Sequence, residues 1–371
     1  MCDLNLDAYF IDCELDKMKR EWCKIRGVKI AIGVGASLLC EESDLFIYAD
    51  MPRWEIQKKF RKKILGNIGA SNVGEDFFLL YKRAYFCDWR ACDRMKQTTF
   101  TKWDFILDTI DDENPKFLTV DNLIMGLQKC AQQPFRLVPF FDPGPWGGQW
   151  MKEVCDLDRS QSNYAWCFDC VPEENSLALK YGTKHIEIPA INLVFFQSQK
   201  LLGDHIISQF GKEFPIRFDF LDTMDGGNLS LQVHPLTAYI RKHFGMDYTQ
   251  DESYYFLDTG EDAHVYLGLL EEIDPAAMMT DLEKAQRGEI VFPADKYVNK
   301  FKVKKHDHIL IPAGTIHCSG KNSMVLEISA TPYIFTFKLW DWGRLGLDGL
   351  PRPIHLDHGK NVIQWERNAS F

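Results

Sequence analysis

The chain lacks several features that would place it in a specialised class of proteins. No apolar run approaches the roughly 20 residues that a membrane helix needs. The first residues show no basic start followed by an apolar stretch, so we expect no secretory signal. No low-complexity tract occurs, and acidic residues outnumber basic ones, with a net charge of −10. These absences argue against membrane or nucleic-acid partners and against export.

Cysteine and phosphate-loop motifs are equally sparse. The eleven cysteines are an odd number without a repeating framework, which predicts free thiols in a reducing, cytoplasmic location. Cys167 and Cys170 form a single CxxC, which we interpret as core or surface thiols rather than a redox or zinc pair. GVGAS (33–37) lacks the third glycine of GxGxxG, and no GxxxxGK[ST] occurs. We therefore predict a tight turn there and no nucleotide site.

The length of 371 residues favours two domains, and the sequence changes character near residue 130. We predict that residues 1–130 form a small α/β domain of unknown role, because strand-like and helical patterns alternate there. The predicted strands are VKIAIGVG (28–35), DLFIYAD (44–50), FFLLYKRAYFCDW (77–89) and KWDFILDTI (102–110). The predicted helices are PRWEIQKKFRKKIL (52–65) and VDNLIMGLQKCAQ (120–132).

Residues 131–371 read mostly as short strands, after a stretch rich in proline, glycine and aromatic residues (134–150). Many short strands with turn signals predict a β-sandwich or barrel, so the fold class is α+β and mainly β. The predicted strands lie within 185–196, 214–222, 229–235, 252–258, 264–270, 301–314 and 323–342, and two helices are predicted at 235–244 and 274–288.

Four residues of this second region have the chemistry of metal ligands. Gln232 and His234 are two apart on a predicted strand and therefore share a face. Glu252 begins another strand, and His317 follows a turn. Two imidazoles, a carboxylate and an amide oxygen suit Zn²⁺, and by ligand type also Fe²⁺, Ni²⁺ or Mn²⁺. From the spacing alone, a metal site and merely hydrogen-bonded strand histidines remain equal alternatives.

These stretches together resemble a known family. NLSLQVHP (228–235), DESYYFL (251–257) and IPAGTIH (311–317) resemble class I mannose-6-phosphate isomerases, which are zinc-dependent cupins. The resemblance spans roughly residues 134–358, because further matches flank the three motifs: PWGG (145–148), FPIRFDFLD (214–222), VLEIS (325–329), WDWGR (340–344) and RPIHL (352–356). It implies that residues 131–371 form a cupin domain, a jelly-roll-like β-barrel. It also implies one Zn²⁺ per chain, with Gln232, His234, Glu252 and His317 as its ligands.

The resemblance implies a metal-dependent aldose–ketose isomerase that interconverts mannose 6-phosphate and fructose 6-phosphate through an enediol. By position, Glu327 in VLEIS would be the base, and Arg344 in WDWGR would orient the enediolate or bind phosphate. Two plainer interpretations stay open. Glu327 would then be a surface carboxylate on a half-exposed strand, and Arg344 would be a salt-bridge or cation–π partner of Trp340 or Trp342.

The chain also departs from the family pattern around the expected substrate. The family commonly has a lysine two residues before its glutamate ligand, where this chain has Gln250, and an aspartate after QVHP, where it has Leu236. Lys338, Arg217 and Arg136 are the candidate replacements for phosphate binding. The departures leave a second hypothesis, a non-catalytic or regulatory metal-containing cupin that binds a sugar. A structural metal is disfavoured because glutamine is a weak ligand.

Overall fold

The computed structural model describes residues 3–40, 42–331, 333–345 and 352–368. The chain divides into two compact units, the first formed by residues 1–137 and 173–212 and the second by residues 138–172 and 213–371. The sequence-based division near residue 130 placed residues 173–212 in the second region, whereas in the structure they pack within the first unit.

Helices and strands are numbered along the chain. The helices are α1 Asp12–Lys24, α2 Ala36–Leu39, α3 Arg53–Arg61, α4 Phe77–Arg83, α5 Trp89–Thr99, α6 Val120–Cys130, α7 Trp150–Val154, α8 Ile191–Phe196, α9 Ser198–Phe210, α10 Thr237–Phe244, α11 Pro275–Gln286 and α12 Leu356–Gly359. The strands are β1 Ile47–Asp50, β2 Phe105–Asp108, β3 Lys116–Thr119, β4 Phe140–Asp142, β5 Trp166–Cys170, β6 Ser176–Tyr181, β7 Lys184–Pro189, β8 Arg217–Asp222, β9 Leu231–Val233, β10 Glu252–Thr259, β11 His264–Leu269, β12 Val298–Lys302, β13 His308–Ile311, β14 His317–Ser319, β15 Ser323–Ser329 and β16 Phe337–Trp340.

The first unit is built on a small sheet and a hairpin. β1 pairs with β2 in parallel, β3 pairs with β2 in antiparallel, and β6 and β7 form a separate antiparallel pair. Residues from these strands and from α6 form one apolar core that includes Ile106, Leu123, Leu127, Leu177 and Ile188. The helix predicted at 120–132 and the strands predicted within 44–50 and 102–110 are therefore present.

The stretch 77–89 was predicted as a strand, and this prediction is wrong. It forms α4, then a π-helical turn at Ala84–Asp88, and leads into α5. Leu80 and Ala84 are buried and lie four residues apart, which is the spacing of one helix face. The Asp76 side chain accepts a hydrogen bond from the Phe78 N–H and so caps α4. Because nearly every residue of this stretch is apolar, the sequence pattern does not distinguish a helix from a strand.

Two other strand predictions also differ from the structure. Residues 28–32 of VKIAIGVG have no regular secondary structure and are mostly exposed, whereas a buried strand was expected. No other segment of the described chain pairs with them, and a strand forms only beside a partner. The stretch 185–196 contributes to β7 only as far as Pro189 and then turns into α8.

The second unit consists mainly of two antiparallel sheets. One has six strands in the order β13-β10-β15-β8-β5-β4, and the other has five in the order β12-β11-β14-β9-β16. The helices predicted at 235–244 and 274–288 are present as α10 and α11. The expected α+β class is confirmed for the chain, with antiparallel strands dominating the second unit.

The PWGG motif lies packed inside the second unit. Trp146 is buried and meets the Trp166 ring edge to face at a centroid distance of 4.6 Å. A Cβ on Gly148 would lie 2.1 Å from Asp222 Oδ1, so only glycine fits at this position. Burial raises the pKa of Asp222 to about 6, although its carboxylate accepts backbone hydrogen bonds from Met151 and Met224. The motif thus serves to pack this loop against β8.

The ten cysteines that the structure describes are free thiols, and Cys167 and Cys170 lie within β5. Among the described helices, none combines the length and the apolar character that crossing a membrane requires.

Candidate metal centre

The five-stranded sheet places two predicted ligands side by side. Gln232 in β9 lies directly opposite His317 in β14 and opposite Lys338 in β16. Residues that face each other in neighbouring strands project from the same side of a sheet. His234 follows Gln232 by two residues, immediately before Pro235, and projects to that side as well. One face of this sheet therefore carries both imidazoles, the amide and a lysine.

The six-stranded sheet supplies the carboxylate. Glu252 begins β10 and lies opposite Ser329 in β15, while Tyr254 lies opposite Glu327. Because these residues alternate along β10 and β15, all four project from one face. On this face, Glu252 contacts the imidazoles that project from the other sheet.

The two sheets bring three of the four predicted ligands together. Glu252 Oε2 lies 3.0 Å from His234 Nε2, and Glu252 Oε1 lies 2.7 Å from His317 Nε2. All three side chains are buried, and their ligand atoms lie within 4.8 Å of one another. A carboxylate and two imidazoles that converge in this way form a cluster that can hold a metal ion.

The tautomers of the two imidazoles fit a bound cation. His234 Nδ1 donates a hydrogen bond to the Phe335 carbonyl at 3.0 Å, and His317 Nδ1 donates one to the Thr315 carbonyl at 2.9 Å. In a neutral imidazole this leaves Nε2 as an acceptor. Both acceptor nitrogens then point at carboxylate oxygens, which are also acceptors. Either a proton on an imidazole or a metal ion can bridge such a set, and backbone bonds of this kind are the usual support of a metal-binding histidine.

Electrostatics at the centre keep the carboxylate charged. Burial by itself would raise the pKa of Glu252, but the two facing imidazoles outweigh it and hold that pKa well below its usual range. Burial likewise opposes the charged form of His234, and the Glu252 carboxylate outweighs this effect and raises the pKa of His234. The ionised carboxylate is the form that binds a metal ion.

Gln232 borders the cluster through its amide nitrogen. Gln232 Nε2 lies 3.3 Å from His317 Nε2. A half-turn of the amide group would bring Oε1 to this place, where it would complete a set of two nitrogens and two oxygens. Its role as a fourth ligand therefore stays a prediction.

Gln250 occupies the position where the family commonly has a lysine. Its amide nitrogen donates hydrogen bonds to Glu252 Oε2 at 2.9 Å and to Ser329 Oγ at 3.2 Å, and lies 3.4 Å from Glu327 Oε1. Its oxygen accepts a hydrogen bond from the Phe335 N–H. The neutral amide thus connects the ligand carboxylate to Glu327.

Glu327 lies in the interior, with 7% of its surface exposed, so the alternative of a surface carboxylate is wrong. The Ser329 hydroxyl donates a hydrogen bond to Glu327 Oε1 at 2.8 Å, and Asp219 in β8 lies directly opposite. Burial, then the charges of Asp219 and Glu252, raise the pKa of Glu327 well above its usual value. Sequence inspection had not identified Ser329, Asp219 or Tyr254. Their alternation with Glu252 and Glu327 along neighbouring strands was the available signal.

Arg344 makes the salt bridge that the plainer interpretation expected. Its guanidinium donates to Asp341 and to the backbone carbonyl of Asn228. Asp341 also accepts from Arg352 and from the Ser230 hydroxyl. None of the contacts found among the described residues joins Arg344 to the three converging ligands.

The candidate phosphate-binding cations occupy different surroundings. Lys338 is half-buried and shares the face of Gln232. Arg217 is buried, lies 5.8 Å from the centroid of the Phe168 ring and lies 3.8 Å from Asp219. Arg136 is exposed and belongs to the first unit. Strand register therefore places Lys338 next to the metal centre.

Comparison with known proteins distinguishes the two regions of the chain. Residues 1–132 match a family described as "Domain of unknown function (DUF8485)". The probable mannose-6-phosphate isomerase GmuF of Bacillus subtilis is 32% identical over 233 residues, covering 62% of this chain and 68% of that protein. Mannose-6-phosphate isomerase ManA of the same organism is 30% identical over 162 residues, which cover 43% of this chain and about half (48%) of ManA.

The fold comparison agrees with the sequence comparison. The crystal structure of a mannose 6-phosphate isomerase from Bacillus subtilis superposes with a TM-score of 0.52 at 20% identity, covering 65% of this chain and 71% of that one.

Proposed function

Because the chain belongs to the mannose-6-phosphate isomerase family, we propose that it is a metal-dependent aldose–ketose isomerase that interconverts mannose 6-phosphate and fructose 6-phosphate. The observation that carries the proposal is the buried His234–Glu252–His317 cluster, whose nitrogen and oxygen acceptors converge. In this proposal the two sheets of the second unit form a cupin barrel around that cluster, and this unit, residues 138–172 and 213–371, is the isomerase domain.

His234, Glu252 and His317 would hold one Zn²⁺ per chain, with Gln232 as the fourth ligand after its amide turns. A site with only side-chain nitrogen and oxygen donors also suits other divalent ions. When bound, such an ion supplies Lewis-acid polarisation of the substrate's carbonyl and hydroxyl groups. The backbone bonds to His234 Nδ1 and His317 Nδ1 orient both rings for this purpose.

Glu327 would move the proton between C2 and C1 of the sugar. Its carboxylate takes the proton from C2 and returns it to C1, while the hydroxyl proton passes from O2 to O1 of the enediolate, so atoms and charge balance over the reaction. Its raised pKa makes the ionised form a stronger base than an exposed glutamate. The hydrogen bond from Ser329 and the nearby Gln250 amide fix the direction of this carboxylate.

We propose that Lys338 and Arg344 are the cations that bind the negatively charged groups of the substrate. Lys338 lies beside Gln232 on the face that carries the ligands and would bind the phosphate. Arg344 would contribute further hydrogen bonds, because a guanidinium has five N–H donors and its bonds to Asp341 and Asn228 use only some of them.

The proposal is tested by loading the purified protein with zinc and incubating it with a panel of hexose and pentose phosphates. We expect ketose to form from mannose 6-phosphate. Glu327→Gln should lower this turnover by about 10²- to 10⁴-fold while the metal content stays the same. Absence of turnover on every substrate, with metal demonstrably bound, would contradict the proposal.

A second candidate is a metal-containing cupin that binds a sugar without converting it. Gln250 favours it, since a neutral amide engaged with Glu252 stands where the family commonly has a lysine. In that case a sugar phosphate should raise the melting temperature of the metal-loaded protein without any turnover.

A further inference from the structure

A tight turn before β14 supports both imidazoles of the metal centre. It comprises residues 312–315 (PAGT) and is here called the 312–315 turn. The Gly314 N–H donates a hydrogen bond to the backbone carbonyl of His234 at 2.9 Å. The Thr315 carbonyl accepts the hydrogen bond from His317 Nδ1 at 2.9 Å. A shift of this turn would therefore move one ligand strand and rotate the second imidazole.

The same turn also holds the strand that carries the carboxylate. The Ala313 N–H donates a hydrogen bond to the Asp251 carboxylate at 2.7 Å, and Asp251 immediately precedes Glu252. The turn thus bonds to the chain at or next to each of the three converging ligands. Groups that support ligands in this way orient them for the metal ion.

Residues 361–368 (NVIQWERN), here called the 361–368 segment, pack against the 312–315 turn. The Gln364 N–H donates a hydrogen bond to the Gly314 carbonyl at 2.9 Å. Gly314 has a φ of 88°, and a Cβ at this position would lie 2.5 Å from Gln364 Cγ, so the close approach requires glycine. The buried side chain of Val362 anchors the segment.

One side chain of the 361–368 segment reaches the residue that orients His317. Arg367 Nη1 donates a hydrogen bond to Thr315 Oγ1 at 2.9 Å. The Arg367 carbonyl accepts a hydrogen bond from the Leu269 N–H at 2.8 Å, which fixes the backbone from which the guanidinium extends. Thr315 is buried, and it bonds to Arg367 through its hydroxyl and to His317 through its carbonyl. A short chain of hydrogen bonds thus connects Arg367 to a predicted metal ligand.

We propose that Arg367 is a positioning residue of the metal centre, which acts on His317 through Thr315. The guanidinium holds the Thr315 hydroxyl, so the Thr315 carbonyl stays where it accepts the hydrogen bond from His317 Nδ1. A ligand ring that is fixed beforehand binds a metal ion more tightly, because less conformational freedom is lost on binding. The inference rests on the metal centre of the proposed function and does not depend on which reaction that centre performs.

The test is the zinc dissociation constant of the full-length protein, measured by competition with a chelating dye of known affinity. Arg367→Met removes the donor, and we expect the dissociation constant to rise about 10-fold, the lower end of the range for residues that support metal ligands. The matched control is Arg287→Met, which removes an exposed arginine that pairs with Glu289 and should leave zinc affinity unchanged.

A double-mutant cycle separates action through Thr315 from other effects of the arginine. Thr315→Val keeps a similar shape but removes the hydroxyl that Arg367 contacts, so it should raise the dissociation constant by a similar factor. Because both changes break the same hydrogen bond, the double variant should bind zinc about as weakly as either single variant. Independent effects would instead multiply to about 100-fold and would overturn the proposal.

Folding is checked on the metal-free proteins, because weaker binding can also follow from loss of structure. Circular dichroism and the melting temperature should show that each variant is folded at the assay temperature. An Arg367→Met protein that is unfolded there overturns the proposal, since the arginine then serves folding. Zinc binding by Arg367→Met that is as tight as in the wild type overturns the proposal and leaves the metal centre standing. A wild type that binds no zinc overturns the metal centre and this proposal together.

Discussion

Residues 28–34 and residues 229–234 have the same alternation of apolar and other side chains, but their surroundings are opposite. Leu231 and Val233 are completely buried, and β9 lies between β14 and β16. Val28 and Ile32 are 91% exposed, and no described strand pairs with their segment. The alternation therefore indicates only that a stretch can form a strand. Whether the strand forms and is buried depends on the strands that pair with it.

The partners of β9 also supply the chemistry of the metal centre. His317 comes from β14 and Lys338 from β16, and both lie opposite Gln232. Glu252 comes from the other sheet and reaches both imidazoles. Residues 28–34 have no comparable neighbours in the part of the chain that the structure describes.

Removing a ligand that a neighbouring strand supplies should have the largest effect. His317→Ala leaves Glu252 and His234 without their third partner, so metal affinity should fall more than about 100-fold, because changes to supporting residues alone cost 10- to 100-fold. Metal content after dialysis against a weak chelator measures this loss. His308→Ala, on the exposed side of β13, is the control and should keep one metal per chain. Equal metal content in both variants would contradict the site.

Glu327→Gln should leave the metal in place and remove the proton-transferring group. We expect kcat for the isomerisation to fall by about 10²- to 10⁴-fold, the usual contribution of a positioned base. Steady-state kinetics and metal analysis on the same sample provide both readouts. Glu289→Gln changes an exposed glutamate that pairs with Arg287 and should keep wild-type kcat. If Glu327→Gln remained fully active, another group would have to move the proton.

Lys338→Met should weaken binding of the phosphorylated substrate. A charge-assisted hydrogen bond contributes about 1.5–3 kcal/mol, so KM should rise about 10- to 100-fold with a smaller change in kcat. The exposed Lys302 of β12 offers the matched control, since Lys302→Met removes the same charge elsewhere in the same sheet. An unchanged KM would mean that Arg344 or another cation binds the phosphate.

The smallest effect is expected when the same substitution, valine to alanine, is made in each of the two strand-like stretches. Val233→Ala removes buried methyl groups and should lower the free energy of unfolding by about 2 kcal/mol. Val28→Ala should change it by less than about 0.5 kcal/mol when the protein is dilute, because the side chain is exposed. Urea denaturation at low protein concentration measures both. Similar losses would show that Val28 is buried in solution, contrary to its exposure in the structure.

The sequence predicted the ligand strand better than it predicted the network around it. The two-residue spacing of Gln232 and His234 placed both on one face, the residue chemistry added Glu252 and His317 as candidates, and the resemblance implied the four as one ligand set. The link from Gln250 to Glu252 and Glu327 could not be inferred, because it depends on the register between β10 and β15. Registers between strands that are distant in sequence leave no trace in the spacing of residues.

The prediction of the fold failed where the apolar pattern was ambiguous. The stretch 77–89 is apolar at nearly every position, so helix and strand periods both fit, and the Asp76 cap was the overlooked signal. The sequence-based division also assigned residues 173–212 to the second region, although they pack in the first unit. β6 and β7 bury Leu177 and Ile188 in the core of that unit, and only tertiary packing reveals this.

The most direct test of the metal centre is X-ray absorption spectroscopy of the zinc-loaded protein. Coordination by His234, Glu252, His317 and Gln232 predicts a shell of nitrogen and oxygen atoms at about 2.0–2.2 Å, with scattering from two imidazole rings and without sulfur. A shell at about 2.3 Å would mean that cysteine thiolates hold the ion, and it would contradict the site described here.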